Sequence, residues 1–172
     1  MTASEVAAWW GAGTGTVSVI LTGARFVWDR GASKRALRDD LRAMASEAKS
    51  ELSEARAKAS AGSNPGSVGA ATRRCTGDAG LQQTAERVLG VNRNPNVLML
   101  PPRRKLWDAA KAASLAVMAA EHAWATVAWY ERSPEAADPH QKSVSTSEFL
   151  READPAIAKC NELIRVLTQL EG

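Results

Sequence analysis

The chain has 172 residues, 45% of them hydrophobic and 24% charged, with a formal net charge of +3 at pH 7. This length and apolar content suffice for one small hydrophobic core, and the small charge excess argues against a dedicated nucleic-acid-binding protein. Alanine is abundant while phenylalanine and tyrosine are scarce, so the sequence predicts an all-α fold. Cys75 and Cys160 lie far apart and without metal-ligand spacing, which predicts neither a disulfide framework nor a zinc site and fits a reducing cytoplasm.

The N-terminal region contains 19 consecutive residues without a charge, from Val6 to Ala24. This is about the length of a helix that crosses a bilayer, although its glycines and threonines keep its hydropathy modest. Only Glu5 precedes the segment, whereas basic residues follow it, so the positive-inside rule places the C-terminal side in the cytoplasm. The sequence therefore predicts a single-pass protein of the plasma (inner) membrane with its N-terminus outside. The basic residues that follow are Arg25, Arg30, Lys34, Arg35 and Arg38.

Aromatic and small residues in this region support the same interpretation. Tryptophans stand near both ends of the segment, where amphipathic rings prefer the headgroup region. Gly11 and Gly15 have the small-xxx-small spacing that lets membrane helices approach each other. The predicted membrane-contact residues are Trp9, Trp10, Gly11, Gly15, Arg25, Trp28, Arg30, Lys34 and Arg35.

Two alternatives to a membrane span compete for this segment. A cleaved signal peptide is disfavoured because its positive charge should precede the apolar run, and here the charge follows it. A buried helix of a soluble protein stays open, since glycines are tolerated where a second helix packs closely.

A family resemblance rests on the first thirty residues. These residues contain, in order, Trp9-Trp10-Gly11, Thr14-Gly15, a short aliphatic run, Arg25-Phe26 and Trp28-Asp29-Arg30. This order resembles the anchor of small uncharacterised bacterial membrane proteins, actinobacterial or phage-like. The resemblance implies a single-pass anchor over residues 1–30 followed by a cytosolic domain over residues 31–172, and it carries no catalytic residues.

The first half of the cytosolic domain has one long and one short predicted helix. Apolar residues at alternating spacings of four and three predict a helix from about Ser33 to Ala59. A run rich in Ser, Gly, Asn and Pro then predicts a flexible loop near residues 60–76. A short helix from Leu81 to Leu89 follows, with Asp78 as its cap and Gly90 as its stop. The long helix's apolar residues are Leu37, Leu41, Met44, Ala48, Leu52, Ala55 and Ala59.

The second half is predicted to hold the central helix and a final helix, which makes a bundle of about four helices. The segment from Arg103 to Tyr130 has two apolar rows, and so wide a stripe predicts contact with more than one neighbour. Asp154 and Pro155 predict the cap and first position of the final helix, whose inner row is Ile157, Cys160, Ile164 and Leu167. The central helix's first row is Leu106, Ala110, Ala113, Val117, Ala120, Trp124 and Val127, and its second row is Leu115, Met118, Ala125 and Trp129.

Motifs for chemistry are missing from the sequence. His122 follows Glu121 on the central helix, but no HExxH pattern surrounds it. The Gly11–Gly15 run lacks the lysine of a P-loop. The sequence therefore predicts no catalytic residue, no cofactor and no metal, and hence no enzyme.

The functional expectation is a membrane-tethered helical scaffold or interaction module of prophage or defence-system origin. Its expected partners are membrane lipids and either a second copy of the chain or the product of a neighbouring gene. Arg103, Arg104 and Lys105, at the start of the central helix, are the predicted lipid-headgroup contacts. A holin-like membrane-permeabilising protein and a soluble helical nucleic-acid-binding protein are the alternatives.

Overall fold

A computed structural model describes residues 3–62, 68–77, 80–90, 101–133 and 138–170; the side chains of residues 3–31 and of Pro102 lie outside this description. Within these ranges the regular structure is entirely helical, which confirms the all-α prediction. The five helices are α1 (Ala3–Ser60), α2 (Ala70–Thr76), α3 (Leu81–Leu89), α4 (Pro101–Arg132) and α5 (Pro139–Gln169).

The chain divides into two compact units, Met1–Ala36 and Leu37–Gly172. The described part of the first unit is helical and belongs to α1, and the second unit holds the hydrophobic core. In the part of the chain that the structure describes, no helix combines the length and the apolar character that a bilayer span requires. The predicted membrane-contact residues from Trp9 to Arg30 have side chains outside the described set.

The core of the second unit is lined by the row predicted for the first long helix. Leu41, Ala48 and Leu52 are completely buried, and Leu37 packs against the cluster at its edge. Opposing side chains come from α4 and α5, with Phe149 the largest fully buried residue. The apolar row predicted from the sequence is thus the face of α1 that lines the core. When neighbouring helices cover such a row, its apolar surface is removed from water, which stabilises the fold.

Helix α2 occupies part of the predicted loop near residues 60–76. The first backbone N–H groups of a helix lack intrahelical acceptors, and here a carboxylate from α1 supplies them. Glu51 accepts from Gly69 and Ala70 through one oxygen, at 2.8 and 3.3 Å, and from Ala71 and Thr72 through the other, at 3.1 and 3.0 Å. This remote acceptor explains why residues 70–76 are helical although their local sequence lacks a cap.

Helix α3 has the bounds that the sequence predicts. Its stop is Gly90, which has a φ of 68° and whose N–H bonds to the carbonyls of Arg87 and Glu86. A left-handed residue ends a helix at little cost only when it is glycine. Gly80 stands at the N-cap, and Asp78, the predicted cap, lies outside the described residues.

Helix α5 begins 16 residues before the predicted position, so the prediction that Asp154 and Pro155 start it is wrong. Its N-cap is Asp138, whose side chain accepts from the N–H of His140 at 3.0 Å, with Pro139 at the first helical position. Asp138-Pro139 and Asp154-Pro155 are both good starts for a helix, so the local sequence does not distinguish between them. Pro155 lies inside the helix on an exposed position, and packing of Phe149 and Ala153 on the core holds the helix continuous around it.

Candidate interaction surface

Helix α4 is the central helix of the second unit, as predicted, and packs against α5, α3 and α2. Its first apolar row is buried: Leu106, Ala110, Ala113, Val117 and Ala120 are completely inaccessible. Trp124 is half-buried at the margin of the core. One face of α4 is therefore fully used in holding the unit together.

The predicted contact of α4 with more than one neighbour is confirmed, but those neighbours leave the second apolar row of α4 exposed. Leu115, Met118 and Trp129 expose 50, 51 and 52% of their surface, and Ala125 is exposed as well. His122 lies between them on the same face and is also exposed. Successive members are three or four positions apart and so form one stripe opposite the buried row. We call Leu115, Met118, His122, Ala125 and Trp129 the outer row.

The outer row is continuous with two groups that favour contact with other side chains. At its start, the Lys111 ammonium lies 5.0 Å from the centre of the Trp107 ring. At its end, the Trp129 and Tyr130 rings meet edge to face, with centroids 4.9 Å apart. Large apolar and aromatic side chains gathered on one exposed stripe are more typical of binding surfaces than of a solvated helix face.

Ion pairs on the surface of the second unit join neighbouring helices. Arg74 bonds to Asp40 at 2.7 Å and to Glu47 at 3.2 Å, which joins α2 to α1. The guanidinium of Arg56 on α1 pairs with the carboxylate of Asp154 on α5, and this pairing raises the pKa of Arg56. These charged groups therefore already have partners within the chain.

Two surface clefts accompany these pairs, and both are lined by charges of both signs. One, of about 450 Å³, lies between α1 and α2 and includes Glu47, Glu54 and Lys58. The other, of about 360 Å³, lies between α4 and α5 and includes Lys105 and Asp108 with Lys159, whose pairing with Glu162 lowers the pKa of that carboxyl. Linings this rich in charges of both signs differ from the predominantly hydrophobic lining typical of a small-molecule site.

The predicted lipid contacts Arg103, Arg104 and Lys105 are all exposed in the first turns of α4. Arg104 pairs with Asp108 at 3.8 Å, and no acidic residue stands in the first turn. Lys34 is half-buried and Arg35 exposed in α1.

No protein family, curated protein or solved structure matches the chain. The chemistry of the described side chains is therefore what bears on function.

The two cysteines are free and buried, in surroundings that disfavour the thiolate. Burial is the main cause that raises the pKa of Cys75 to about 12, with the nearby Cys160 as the next contribution. Burial likewise raises the pKa of Cys160 to about 11. The Cys75 thiol donates to the carbonyl of Met44 at 3.3 Å. Since the thiolate is the nucleophile, burial disfavours the reactive form of both thiols.

The described residues hold no group of three or more His, Cys, Asp or Glu side chains arranged to bind a metal ion. His122 is an exposed member of the outer row, and His140 is exposed in the first turn of α5. The sequence identifies Leu115, Met118, Ala125 and Trp129 as an apolar row, but their exposure follows only from which faces of α4 its neighbours cover.

Proposed function

We propose that this chain is a helical protein-interaction module, without enzymatic activity, that its N-terminal segment tethers to a membrane. The observation that supports the interaction role is the outer row, which gathers three of the four exposed large apolar side chains of the described residues on one stripe of α4, the fourth being Val144 on α5. Leaving such a stripe in water has a free-energy cost that a partner helix would remove.

The ion pairs of Arg73 and Arg74 support this role over the nucleic-acid alternative. Arg74 is held by Asp40 and Glu47, and Arg73 lies 3.7 Å from Glu121. A nucleic-acid surface needs cations that are available to phosphates, and breaking these pairs would oppose binding. A salt-dependent DNA-binding assay on the full chain should detect no specific complex.

A site-specific photo-crosslinker tests the interaction role. It is placed at Met118 in the outer row and, as the matched control, at Ala158, an exposed position on α5. In cells of the source organism we expect crosslinked species from position 118 and none from position 158. Equal labelling at the two positions, or no product at position 118, would contradict the proposal.

The membrane tether is supported by the uncharged run from Val6 to Ala24 and by the basic residues that follow it. If the tether is a span, the full chain stays in the membrane fraction after an alkaline carbonate wash, and a shortened chain that begins at Ser33 is soluble and helical. Release of the full chain by carbonate would leave the interaction role standing and remove the tether. A membrane-potential dye during induced expression separates a tether from a holin-like pore, because only the pore collapses the potential.

Contact with anionic lipid is part of the same proposal. The cations Arg103, Arg104 and Lys105 lie at the start of α4, where positive charge opposes the helix dipole. Anionic headgroups would compensate this charge, because each basic residue near the membrane surface is attracted to anionic lipid by about 1 kcal/mol. Reversing the three charges in the chain that begins at Ser33 should weaken sedimentation with phosphatidylglycerol vesicles, more at low salt than at high salt. Equal binding by parent and variant would remove the lipid contact.

A further inference from the structure

We propose that the partner of the outer row is the outer row of a second copy, the two α4 helices packing antiparallel about a twofold axis that passes between Met118 and His122. This inference rests on the proposed interaction role and names its partner. The pattern of charge and size along α4 is what carries it.

The outer row extends in both directions as a heptad seam. Adding Asp108 and Lys111 before it and Arg132 after it keeps spacings of three and four through eight positions, all of them exposed. Such spacing brings one stripe of a helix against one partner helix along its whole length. From Asp108 to Arg132 the seam is about 36 Å long at about 1.5 Å per residue.

When two copies of this seam run in opposite directions, the residues that meet are complementary in charge or size in the outer layers. In an antiparallel pair about this axis, Asp108 faces Arg132 of the second copy, an acid against a base. Lys111 faces Trp129, a cation against an aromatic ring. Further in, Leu115 faces Ala125, large against small, and Met118 faces His122. Since each pairing occurs twice by symmetry, a single seam supplies both halves of an isologous interface.

The parallel arrangement lacks this complementarity. It would bring Asp108 against Asp108, Lys111 against Lys111 and Arg132 against Arg132, and like charges in register destabilise a helix pair. The charge pattern of the seam therefore selects direction as well as partner.

The flanks of the seam also permit close approach. On one side Ala112, Ala119 and Thr126 are small, so two helix backbones can come near each other along that edge. On the other side Glu121 would approach its own copy, but it is held toward α2 by Arg73 at 3.7 Å and by the Thr76 hydroxyl at 3.3 Å. A single two-helix seam lies at the small end of specific interfaces, so we expect a reversible, concentration-dependent dimer.

Charge reversal in the full chain tests the pairing. Asp108→Arg and Arg132→Asp each place like charges at both ends of the seam, and each should weaken self-association at least about tenfold in analytical ultracentrifugation in mild detergent. Mixing the two variants should restore the dimer, because each then supplies the charge that the other lacks. Both positions are exposed, and unchanged circular dichroism would verify that the variants fold. Self-association of either single variant at the parent's strength, or a mixture that stays monomeric, would overturn the proposal.

Cysteine pairing tests the direction. Leu115→Cys and Ala125→Cys chains should form an interchain disulfide when mixed and not when each is alone, because the antiparallel seam places position 115 against position 125. The native Cys75 and Cys160 are buried and serve as the internal control. Crosslinking of the Leu115→Cys chain with itself would show a parallel pair and overturn the antiparallel arrangement.

The photo-crosslinker at Met118 distinguishes failure of this inference from failure of the proposed function. A product with the mass of two chains supports both. A product with a different protein, and none with a second copy, supports the interaction role and overturns self-association. No product at all overturns both.

Discussion

The carboxylate of Glu51 accepts the backbone N–H of Gly69 at 2.8 Å, across 18 positions of sequence. Together with three further N–H groups at the start of α2, this contact replaces a local helix cap by a side chain from another helix. Charge-assisted bonds to a part-buried helix start are among the stronger polar contacts in a protein. Helix α2 should therefore depend on Glu51 for its formation.

Replacing Glu51 by alanine should lower the free energy of unfolding by about 2–3 kcal/mol, since it leaves four N–H groups without their acceptor. Chemical denaturation monitored by circular dichroism measures the loss. Glu54→Ala, on the next turn of the same helix, is the matched control: Glu54 is exposed and pairs with Lys58 on the surface, so its free energy of unfolding should stay near the parent's. Equal effects of the two changes would argue against the remote cap.

Pro155 interrupts the hydrogen-bonding pattern of α5 because its nitrogen cannot donate to the carbonyl of Arg151. Pro155→Ala should therefore stabilise the chain by about 1–3 kcal/mol and raise its melting temperature. Pro139→Ala is the control, since Pro139 occupies the first position of the helix, where an N–H has no intrahelical acceptor. A stability loss on removing Pro155 would mean that the proline ring itself contributes to the stability of α5.

The two tryptophans of α4 should differ in their contribution to folding. Trp124 packs on the core, so Trp124→Ala should cost about 3 kcal/mol. Trp129 is 52% exposed, and Trp129→Ala should cost less than about 1 kcal/mol under conditions where the chain is monomeric. Thermal unfolding of the two variants side by side measures the difference. A larger cost at Trp129 would mean that it is covered by another part of the chain.

The indole N–H of Trp124 is buried, and no acceptor lies within hydrogen-bond distance among the described residues. Trp124→Phe removes this donor and keeps most of the apolar contact, so it should retain far more stability than Trp124→Ala. Denaturant unfolding of the two variants tests this. Equal losses would show that the indole N–H has an acceptor in the folded protein.

The thiols of Cys75 and Cys160 should resist alkylation in the folded protein. At pH 9 an ordinary thiol is about half ionised, whereas a pKa of about 12 leaves Cys75 with about a thousandfold less thiolate. Because folding raises both pKa values, the contribution of the thiols to stability is complete below pH 9 and declines as the pH rises toward about 11 and 12. Iodoacetamide labelling followed by mass spectrometry, with urea-unfolded protein as the control, measures the protection. Rapid labelling of the native chain would contradict it.

The periodicity of the sequence by itself determined the helical class, the inner faces of α1 and α4, and part of the inner face of α5, where Cys160 and Leu167 are buried but Ile157 and Ile164 only partly. Leu41, Leu52, Val117 and Cys160 were all predicted on apolar rows and are all buried. Spacing of apolar residues is a local property of the chain, and a helix at 3.6 residues per turn converts it directly into a face. The end of α3 at Gly90 was equally predictable, because glycine adopts the left-handed conformation found there without the steric cost that other residues have.

The tertiary structure decided which candidates for a cap and which apolar rows are used. Asp138 rather than Asp154 starts α5 because Phe149 and the residues around Pro155 pack on the core, a long-range gain larger than the local cost of an internal proline. Helix α2 exists because Glu51 reaches it from α1. Met118 is apolar in the sequence like Val117, yet only the arrangement of α2, α3 and α5 around α4 leaves Met118 in water, since burial depends on which faces the neighbours cover.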